Sequence, residues 1–189
     1  MEKTIRFFDL NGTLVNTRPA IIEAYKRIGV DAGSNWDRPW REWCTEEAHR
    51  KKDKIYEGVL MELGVEPDWA MNTFLETPEK DCFIFTEGSL RETNVLLEFF
   101  PELSSFQFVA EQLATFMRRA IAVALQKACT DVHKNSGYGK LHFEYYDDDV
   151  EAGKIITDGT PMKLIAPKGP FLRYSPETYY TETPTEKPF

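Results

Sequence analysis

An acidic and an amide side chain follow an apolar strand near the N-terminus. The segment FFDLNGTLVNT, residues 7–17, runs from two phenylalanines into Asp9 and then through Asn11, Gly12 and Thr13. A carboxylate at a strand end can bind a divalent cation or attack an electrophile. The asparagine amide can only form hydrogen bonds near neutral pH. Taken alone, the pair is equally typical of an Asx turn, so partners on other strands must decide between the two.

Two further apolar segments also end in polar side chains. Thr86 follows CFIF, residues 82–85, and the run Asp147-Asp148-Asp149 follows LHFEYY, residues 141–146. Ligands of parallel sheets gather at the carboxyl ends of the strands, so these side chains are expected to meet at one edge. Carboxylates from two strands would repel each other there, and a hard cation such as Mg²⁺ relieves that repulsion. Alternatively, the aspartate run is a solvated helix N-terminus that interacts favourably with the helix dipole.

The order of the predicted elements indicates an α/β fold with a mostly parallel sheet, because strands alternate with helices. The predicted strands are 4–8, 82–85, 106–109, 141–146 and 162–166, and the predicted helices of the core are 89–100, 112–134 and 150–157. The helical stretch between the first two strands is too long for an ordinary crossover, which favours an inserted cap. We therefore predict a core domain of residues 1–15 and 80–167, a helical cap at 16–79 and an extended tail at 168–189.

The amino-acid composition and net charge narrow the classes of molecule that this protein is expected to bind. The 189 residues are 42% hydrophobic and 29% charged, which excludes wholesale disorder. A formal net charge of -8 argues against a surface for duplex nucleic acid. Cys44, Cys82 and Cys129 form no CxxC pair, so neither a disulfide framework nor structural zinc is expected. No apolar stretch is long enough for a bilayer and no signal peptide is evident, so a cytoplasmic setting is expected; the oligomeric state is not indicated.

Three segments together resemble the motifs of the haloacid dehalogenase (HAD) superfamily. FFDLNGTLVNT resembles the first motif, an apolar strand followed by D-x-D-G-T, and FIFT resembles the second, an apolar strand ending in Ser or Thr. FEYYDDDVEAGKIITDGTPMKLI resembles the fourth motif with its following helix and strand. The resemblance extends to about Pro167. It implies a Rossmann-like three-layer core with a parallel sheet and an inserted helical cap, and a Mg²⁺-dependent phosphatase acting on a small phosphate monoester.

The resemblance also implies roles for the acidic residues. Asp9 would attack phosphorus and form an aspartyl-phosphate, which divides the reaction into two easier displacements. Mg²⁺ would be held by Asp9, by the backbone carbonyl of Asn11, and by Asp148 with support from Asp147. Which of Asp147 and Asp148 is the inner ligand stays open.

The remaining site residues would contact the substrate. By the same resemblance, Thr86 would hydrogen-bond a phosphoryl oxygen, and Gly12 and Thr13 would offer backbone N–H groups to it. Gly88, in the turn after Thr86, is a further candidate for substrate binding.

The cation of the third motif is matched poorly. Arg118 and Arg119 are the candidates, with a solvated helix face as the alternative. In the segment NWDRPWREWC, residues 35–44, the three tryptophans are expected to pack the cap. An aromatic ring, Arg38 or Arg41 could instead face the leaving group of the substrate, which would suit a nucleotide or a sugar phosphate.

Asn11 departs from the motif, in which phosphatases carry a second aspartate that exchanges protons with the leaving group and with water. General acid–base catalysis contributes roughly 100- to 10,000-fold in rate, so turnover is expected to be slow. Three interpretations stay open: a deliberate aspartate-to-asparagine change, a natural slow phosphatase or phosphotransferase, or a silent binding or regulatory relative. A calcium-binding or purely structural α/β protein is disfavoured because the acidic positions lie on distant strands.

Overall fold

The structure is a computed structural model that describes residues 2–36, 40–86, 90–105, 107–108, 127–135, 140–158, 160–167 and 179–182. Its strands are β1 (Glu2–Asp9), β2 (Val15–Asn16), β3 (Glu66–Pro67), β4 (Cys82–Phe85), β5 (Gln107–Phe108), β6 (Lys140–Tyr146), β7 (Met162–Pro167) and β8 (Tyr179–Glu182). Its helices are α1 (Arg18–Arg27), α2 (Trp40–Trp43), α3 (Glu46–Leu63), α4 (Met71–Glu76), α5 (Leu90–Phe99), α6 (127–135) and α7 (Val150–Thr157).

The main sheet has six strands in the order β5-β4-β1-β6-β7-β8. The first five run parallel, and β8, from the C-terminal segment, pairs antiparallel with β7. After β1 the chain builds the sheet on the β4 side, and it then crosses to β6 on the other side. The strand order therefore reverses between β1 and β6, the position where α/β sheets form a crevice for ligands.

Helices cover both faces of this sheet. Strand side chains alternate between the faces because successive residues of a strand point in opposite directions. One face buries Phe7, Phe85 and Tyr145 against Cys129 of α6 and Ile156 of α7. On the opposite face, the strand side chains pack against α3, α4 and α5. The buried residues of this second cluster include Phe8, Ile84 and Tyr146 from the strands and Leu60, Phe74 and Leu96 from the helices. The predicted α/β fold with a three-layer core is thus confirmed.

A short two-stranded ribbon brackets the first helices. β2 pairs antiparallel with β3, which brings the chain back to its starting point after α1, α2 and α3. α4 then packs on the sheet, where the rings of Phe74 and Phe8 meet edge to face at 5.5 Å. The helical stretch predicted between the first two strands is therefore divided into several helices and a short strand, and the assignment of 16–79 as a cap stays a prediction.

Common capping interactions are found at the N-terminus of α3 and at the C-terminus of α1, but not at the N-terminus of α1. The Thr45 hydroxyl accepts from the Ala48 N–H at 3.2 Å and caps α3. Gly29, after α1, has a φ of 80°, the left-handed conformation in which glycine commonly ends a helix. Thr17, by contrast, makes no side-chain capping bond to α1, which begins with Arg18-Pro19.

Candidate functional site

Three carboxylates from two strands meet at the carboxyl edge of the sheet. Asp9 ends β1, and Asp147 and Asp148 follow β6; each offers an oxygen, and these oxygens all lie within 4.8 Å of one another. The register explains the meeting, since Phe8 pairs with Tyr146 and the next residues, Asp9 and Asp147, therefore lie side by side at the strand ends. The structure thus brings together the carboxylates that the sequence analysis selected.

The cluster is costly to ionise. Asp147 is only 5% exposed, and burial, followed by the charge of Asp148, holds its pKa well above the ordinary value. Burial and the charges of Asp149 and then Asp68 raise the pKa of Asp148 to about 7. A divalent cation would offset this mutual repulsion, and carboxylate oxygens are the ligands that Mg²⁺ prefers. The donor set therefore fits a hard cation.

We expect the metal-free protein to lose stability as the pH rises. The folded-state pKa of Asp148 lies above the ordinary 3.8, so its protonation stabilises the fold fully below 3.8, and this contribution is lost as the pH rises through about 7. Urea unfolding in chelator should show the free energy of unfolding falling by about 1–3 kcal/mol from about pH 5 to about pH 8. Asp148→Asn should flatten that slope, and an unchanged slope would contradict this assignment.

The turn after Asp9 is held by its own backbone. The N–H groups of Leu14 and Val15 both donate to the Leu10 carbonyl oxygen at 3.0 Å, and Leu10 and Leu14 are fully buried. The Gly12 N–H donates to the Val15 carbonyl oxygen at 2.8 Å. The sequence predicted that the Gly12 N–H would donate to phosphate. In the structure this N–H instead donates within the turn.

Gly12 is required by space and conformation. Its φ is 78°, and a Cβ added there would lie 2.5 Å from Oδ2 of Asp148. The carbonyl oxygen of Gly12 accepts from the indole Nε1–H of Trp69 at 3.1 Å. The absence of a side chain at residue 12 therefore makes room for the Asp148 carboxylate beside the turn.

Gly12→Ala should be more harmful than Gly29→Ala. Both glycines have φ near +80°, but nothing lies within 4 Å of a Cβ on Gly29, so the pair separates backbone strain from the clash with Asp148. Gly29→Ala should cost about 1–2 kcal/mol of strain, and Gly12→Ala about 1–3 kcal/mol more. Urea unfolding measures both, and equal losses would show that Asp148 does not press on residue 12.

Thr13 links the ends of two strands. Its side chain is fully buried, its hydroxyl oxygen accepts from the Asp148 N–H at 3.0 Å, and the hydroxyl contacts Oδ2 of Asp9 at 3.4 Å. The motif predicted a role for the Thr13 backbone alone, and this link through the side chain was not part of that prediction. Thr86 is also buried, at 3% exposure, and follows Phe85, which pairs with Asp9. Both threonines thus lie at the edge that carries the acidic cluster.

Asn11 presents acceptor oxygens with no partner in the described part of the chain. Its Oδ1 is buried and receives no hydrogen bond from a described residue. The turn uses the backbone groups of its neighbours, and among the described residues no hydrogen bond ends on the Asn11 carbonyl. A buried acceptor without a donor is costly, so this position fits a cation or a ligand hydroxyl.

Five predicted site residues lie, wholly or by their side chains, outside the described part of the chain. Arg38, Gly88, Arg118 and Arg119 lie outside the described residues, and Arg41 belongs to α2 with its side chain outside them. Their roles stay predictions. The structure also brings Asp68 and Trp69 to this region. These residues belong to no motif, and they reach the site because they directly follow β3.

Comparisons with known proteins identify the class of fold. No family model and no curated protein matches the chain. Solved structures do: a HAD hydrolase of family IA, variant 3, from Entamoeba histolytica has a TM-score of 0.58 at 16% identity, covering 86% of this chain and 82% of that one. CbbY from Rhodobacter sphaeroides, in complex with phosphate, has a TM-score of 0.55 at 14% identity, covering 89% and 87%.

A third similar structure is a protein from Lactobacillus plantarum provisionally assigned as a phosphoglycolate phosphatase. Its TM-score is 0.58 at 13% identity, covering 85% of this chain and 84% of that one. Similarity at this level of identity establishes the fold, so the chain has the haloacid dehalogenase-like fold that the motifs implied. Among the described residues, no helix combines the length and apolar character needed to span a membrane.

Proposed function

We propose that this chain is a Mg²⁺-dependent phosphohydrolase that cleaves a small phosphate monoester through an aspartyl-phosphate on Asp9. The observation that carries the proposal is the convergence of Asp9, Asp147 and Asp148, whose oxygens lie within 4.8 Å of one another at the reversal point of the sheet. Aspartates with a purely structural or solvating role would be expected to lie apart, because in a partly buried cluster each raises the free-energy cost of ionising the others.

The roles proposed for the acidic residues agree with their positions. Asp9, Asp148 and the Asn11 carbonyl would hold Mg²⁺ with support from Asp147, and the ion would neutralise charge on the phosphoryl group. One carboxylate oxygen of Asp9 attacks phosphorus, and the bond between phosphorus and the ester oxygen breaks. Water then attacks the same phosphorus, the bond to Asp9 breaks, and inorganic phosphate leaves.

The neighbouring polar groups position the phosphoryl group. Thr13 ties the Asp9 and Asp148 segments together through its hydroxyl, so the two carboxylates keep their separation while charge develops. Thr86 lies on the opposite side of β1 and supplies a hydroxyl to a phosphoryl oxygen. Arg118 or Arg119 supplies the remaining positive charge.

The substrate is proposed to enter beneath the helices between β2 and β3, which act as a cap. The α3 helix runs beside α5, where Glu57 forms an ion pair with Arg91 at 2.6 Å. The N-terminus of α5 comes soon after Thr86 in the chain, so this contact supports a position of α3 close to the catalytic edge. Arg38, Arg41 or a tryptophan of the same segment would read the leaving group of a nucleotide or sugar phosphate.

The setting is proposed to be cytoplasmic. All three cysteines are free and buried, which agrees with a reducing compartment and with the absence of a disulfide framework. A small phosphorylated metabolite, rather than duplex nucleic acid or a membrane surface, is the expected partner.

A screen of phosphate esters tests the proposal. The chain and its Asn11→Asp variant would be incubated with nucleotide and sugar phosphates and with p-nitrophenyl phosphate, in Mg²⁺ and in chelator. We expect release of phosphate that requires Mg²⁺ and that rises in the variant. No release from either protein, at any ester, would contradict the proposal.

A silent phosphate-binding protein on the same fold is the second candidate, and Asn11 favours it. An amide cannot exchange protons near neutral pH, yet it leaves metal and phosphate binding intact. Tight Mg²⁺-dependent binding of a phosphate ester, with no gain of hydrolysis on Asn11→Asp, would identify this second function.

A further inference from the structure

The proposed reaction needs a proton donor and acceptor that Asn11 cannot supply. A nearby carboxylate, Asp68, lies directly after β3 and beside the turn that carries Asn11. Its backbone N–H donates to the Leu14 carbonyl oxygen at 2.8 Å, and the Ala70 N–H donates to the Thr13 carbonyl oxygen at 3.1 Å. Residues 68–70 are therefore fixed alongside residues 13–14 by two backbone hydrogen bonds.

The side chain of Asp68 belongs to the same edge as the acidic cluster. Its Oδ1 accepts from the Trp69 N–H at 2.7 Å, and the Trp69 indole donates to the Gly12 carbonyl oxygen. Gly12 in turn lies against Asp148, since a Cβ on Gly12 would be 2.5 Å from Oδ2 of Asp148. Asp68 is partly buried, as a group at the wall of a crevice would be.

Asp68 is nevertheless separate from the cation cluster. The group of oxygens within 4.8 Å of one another consists of Asp9, Asp147 and Asp148, and Asp68 is not part of it. A carboxylate that ligates a metal cannot readily exchange a proton, whereas one beside the cluster keeps that freedom. A general acid–base group must reach the leaving-group oxygen without being held on the metal, and a carboxylate beside the turn of residues 12–14 but outside the cluster meets the second condition.

We propose that Asp68 is the general acid–base residue of this chain and serves in place of the aspartate that position 11 lacks. This inference rests on the proposed phosphohydrolase function. It identifies a catalytic group that lies in none of the motifs and that comes from the return of the chain out of the helical segment.

The proton balance of the two steps is simple. As Asp9 forms its bond to phosphorus, the carboxylic acid of Asp68 gives its proton to the ester oxygen, and the alcohol leaves. The resulting Asp68 carboxylate then takes a proton from the water that attacks the phosphoenzyme. Phosphate is released, Asp9 is free again, and Asp68 is once more protonated.

The environment of Asp68 suits this exchange. Burial raises its pKa from 3.8 to about 6, although the hydrogen bond from the Trp69 N–H opposes the shift. General acids and bases work best when their pKa lies near the working pH, because both protonation states are then populated.

A four-protein comparison tests the role: the chain itself, Asp68→Asn, Asn11→Asp, and both changes together. In the Asn11 protein, Asp68→Asn should lower kcat by about 100-fold on an alkyl phosphate, and much less on p-nitrophenyl phosphate, whose leaving group needs no proton. In the Asn11→Asp protein, the same change should alter kcat less than about threefold, because residue 11 then supplies the proton. Glu66→Gln, an exposed change on β3, should leave kcat unaltered.

The outcomes separate the inference from the function on which it rests. If Asp68→Asn lowers kcat equally in both backgrounds and for both esters, Asp68 is merely structural and the inference is wrong. No loss at all in the Asn11 protein also refutes it, while hydrolysis by Asn11→Asp would leave the proposed function standing. Inactivity of all four folded proteins in Mg²⁺ would overturn the function and the inference together.

Discussion

Replacing Asp9 by asparagine is expected to lower ester hydrolysis by at least about 1,000-fold, the largest loss at any position. The amide keeps the shape of the carboxylate but is neither a nucleophile for phosphorus nor an anionic ligand for a cation. Steady-state hydrolysis of p-nitrophenyl phosphate in Mg²⁺ measures the effect, best in the Asn11→Asp background where the starting rate is higher.

Asp158→Asn provides the matched control for that loss. Asp158 is an exposed residue beyond the end of α7, so the same chemical change there should leave hydrolysis intact. In the Asn11 protein, slow breakdown should also allow a phosphate adduct on Asp9 to accumulate and be detected by mass spectrometry. Hydrolysis that survives Asp9→Asn would mean that another residue is the nucleophile.

Asn11→Asp is expected to raise hydrolysis about 100-fold, within the usual range for a well-placed general acid–base group. The buried Oδ1 of Asn11 has no hydrogen-bond partner among the described residues, so a carboxyl group at that position is available to a ligand. The gain should be greatest for esters with poor leaving groups, because their departing oxygen requires a proton.

Asn11→Ala separates the added carboxyl group from the loss of the amide. It removes the same side chain without supplying an exchangeable proton, so it should not increase hydrolysis of any ester. An equal gain in the alanine and aspartate variants would show that relief of the buried amide, and not proton transfer, limits the native rate.

The sequence predicts those parts of the site in which reactive side chains lie at the ends of regular β-strands. β4 is found at the predicted residues, and β6 and β7 differ from the predicted strands by a residue at one end. β4 and β7 are buried almost throughout and β6 is buried at its carboxyl end, so their apolar runs can be recognised and polar residues stand out where they end. Asp9, Asp147 and Asp148 were therefore found from strand ends alone.

The contacts that complete the site arise where no periodicity exists. β2 and β3 have two residues each, and α4 has six, which is too short for a repeating apolar pattern. Asp68 and Trp69 reach the turn at residues 12–14 through hydrogen bonds between residues more than fifty positions apart. Such contacts depend on the return path of the chain, which local propensity does not encode.

Details of the turn at residue 12 were also beyond the sequence. A glycine after Asp9 and Asn11 is compatible both with a free N–H for phosphate and with a tight turn. The observed bond from Gly12 to Val15 and the proximity of Asp148 to residue 12 favour the second role. The choice depends on how two strands pack, since Asp148 is distant in sequence.

Calorimetric titration with Mg²⁺ of the native chain and of Asp148→Asn tests the central claim most directly. The account predicts one saturable site per chain, with an affinity at least about tenfold lower in the variant, because even residues that only support metal ligands contribute about 10–100-fold. A native chain that binds no Mg²⁺, or a variant that binds it equally well, would contradict the convergence of these carboxylates on one cation.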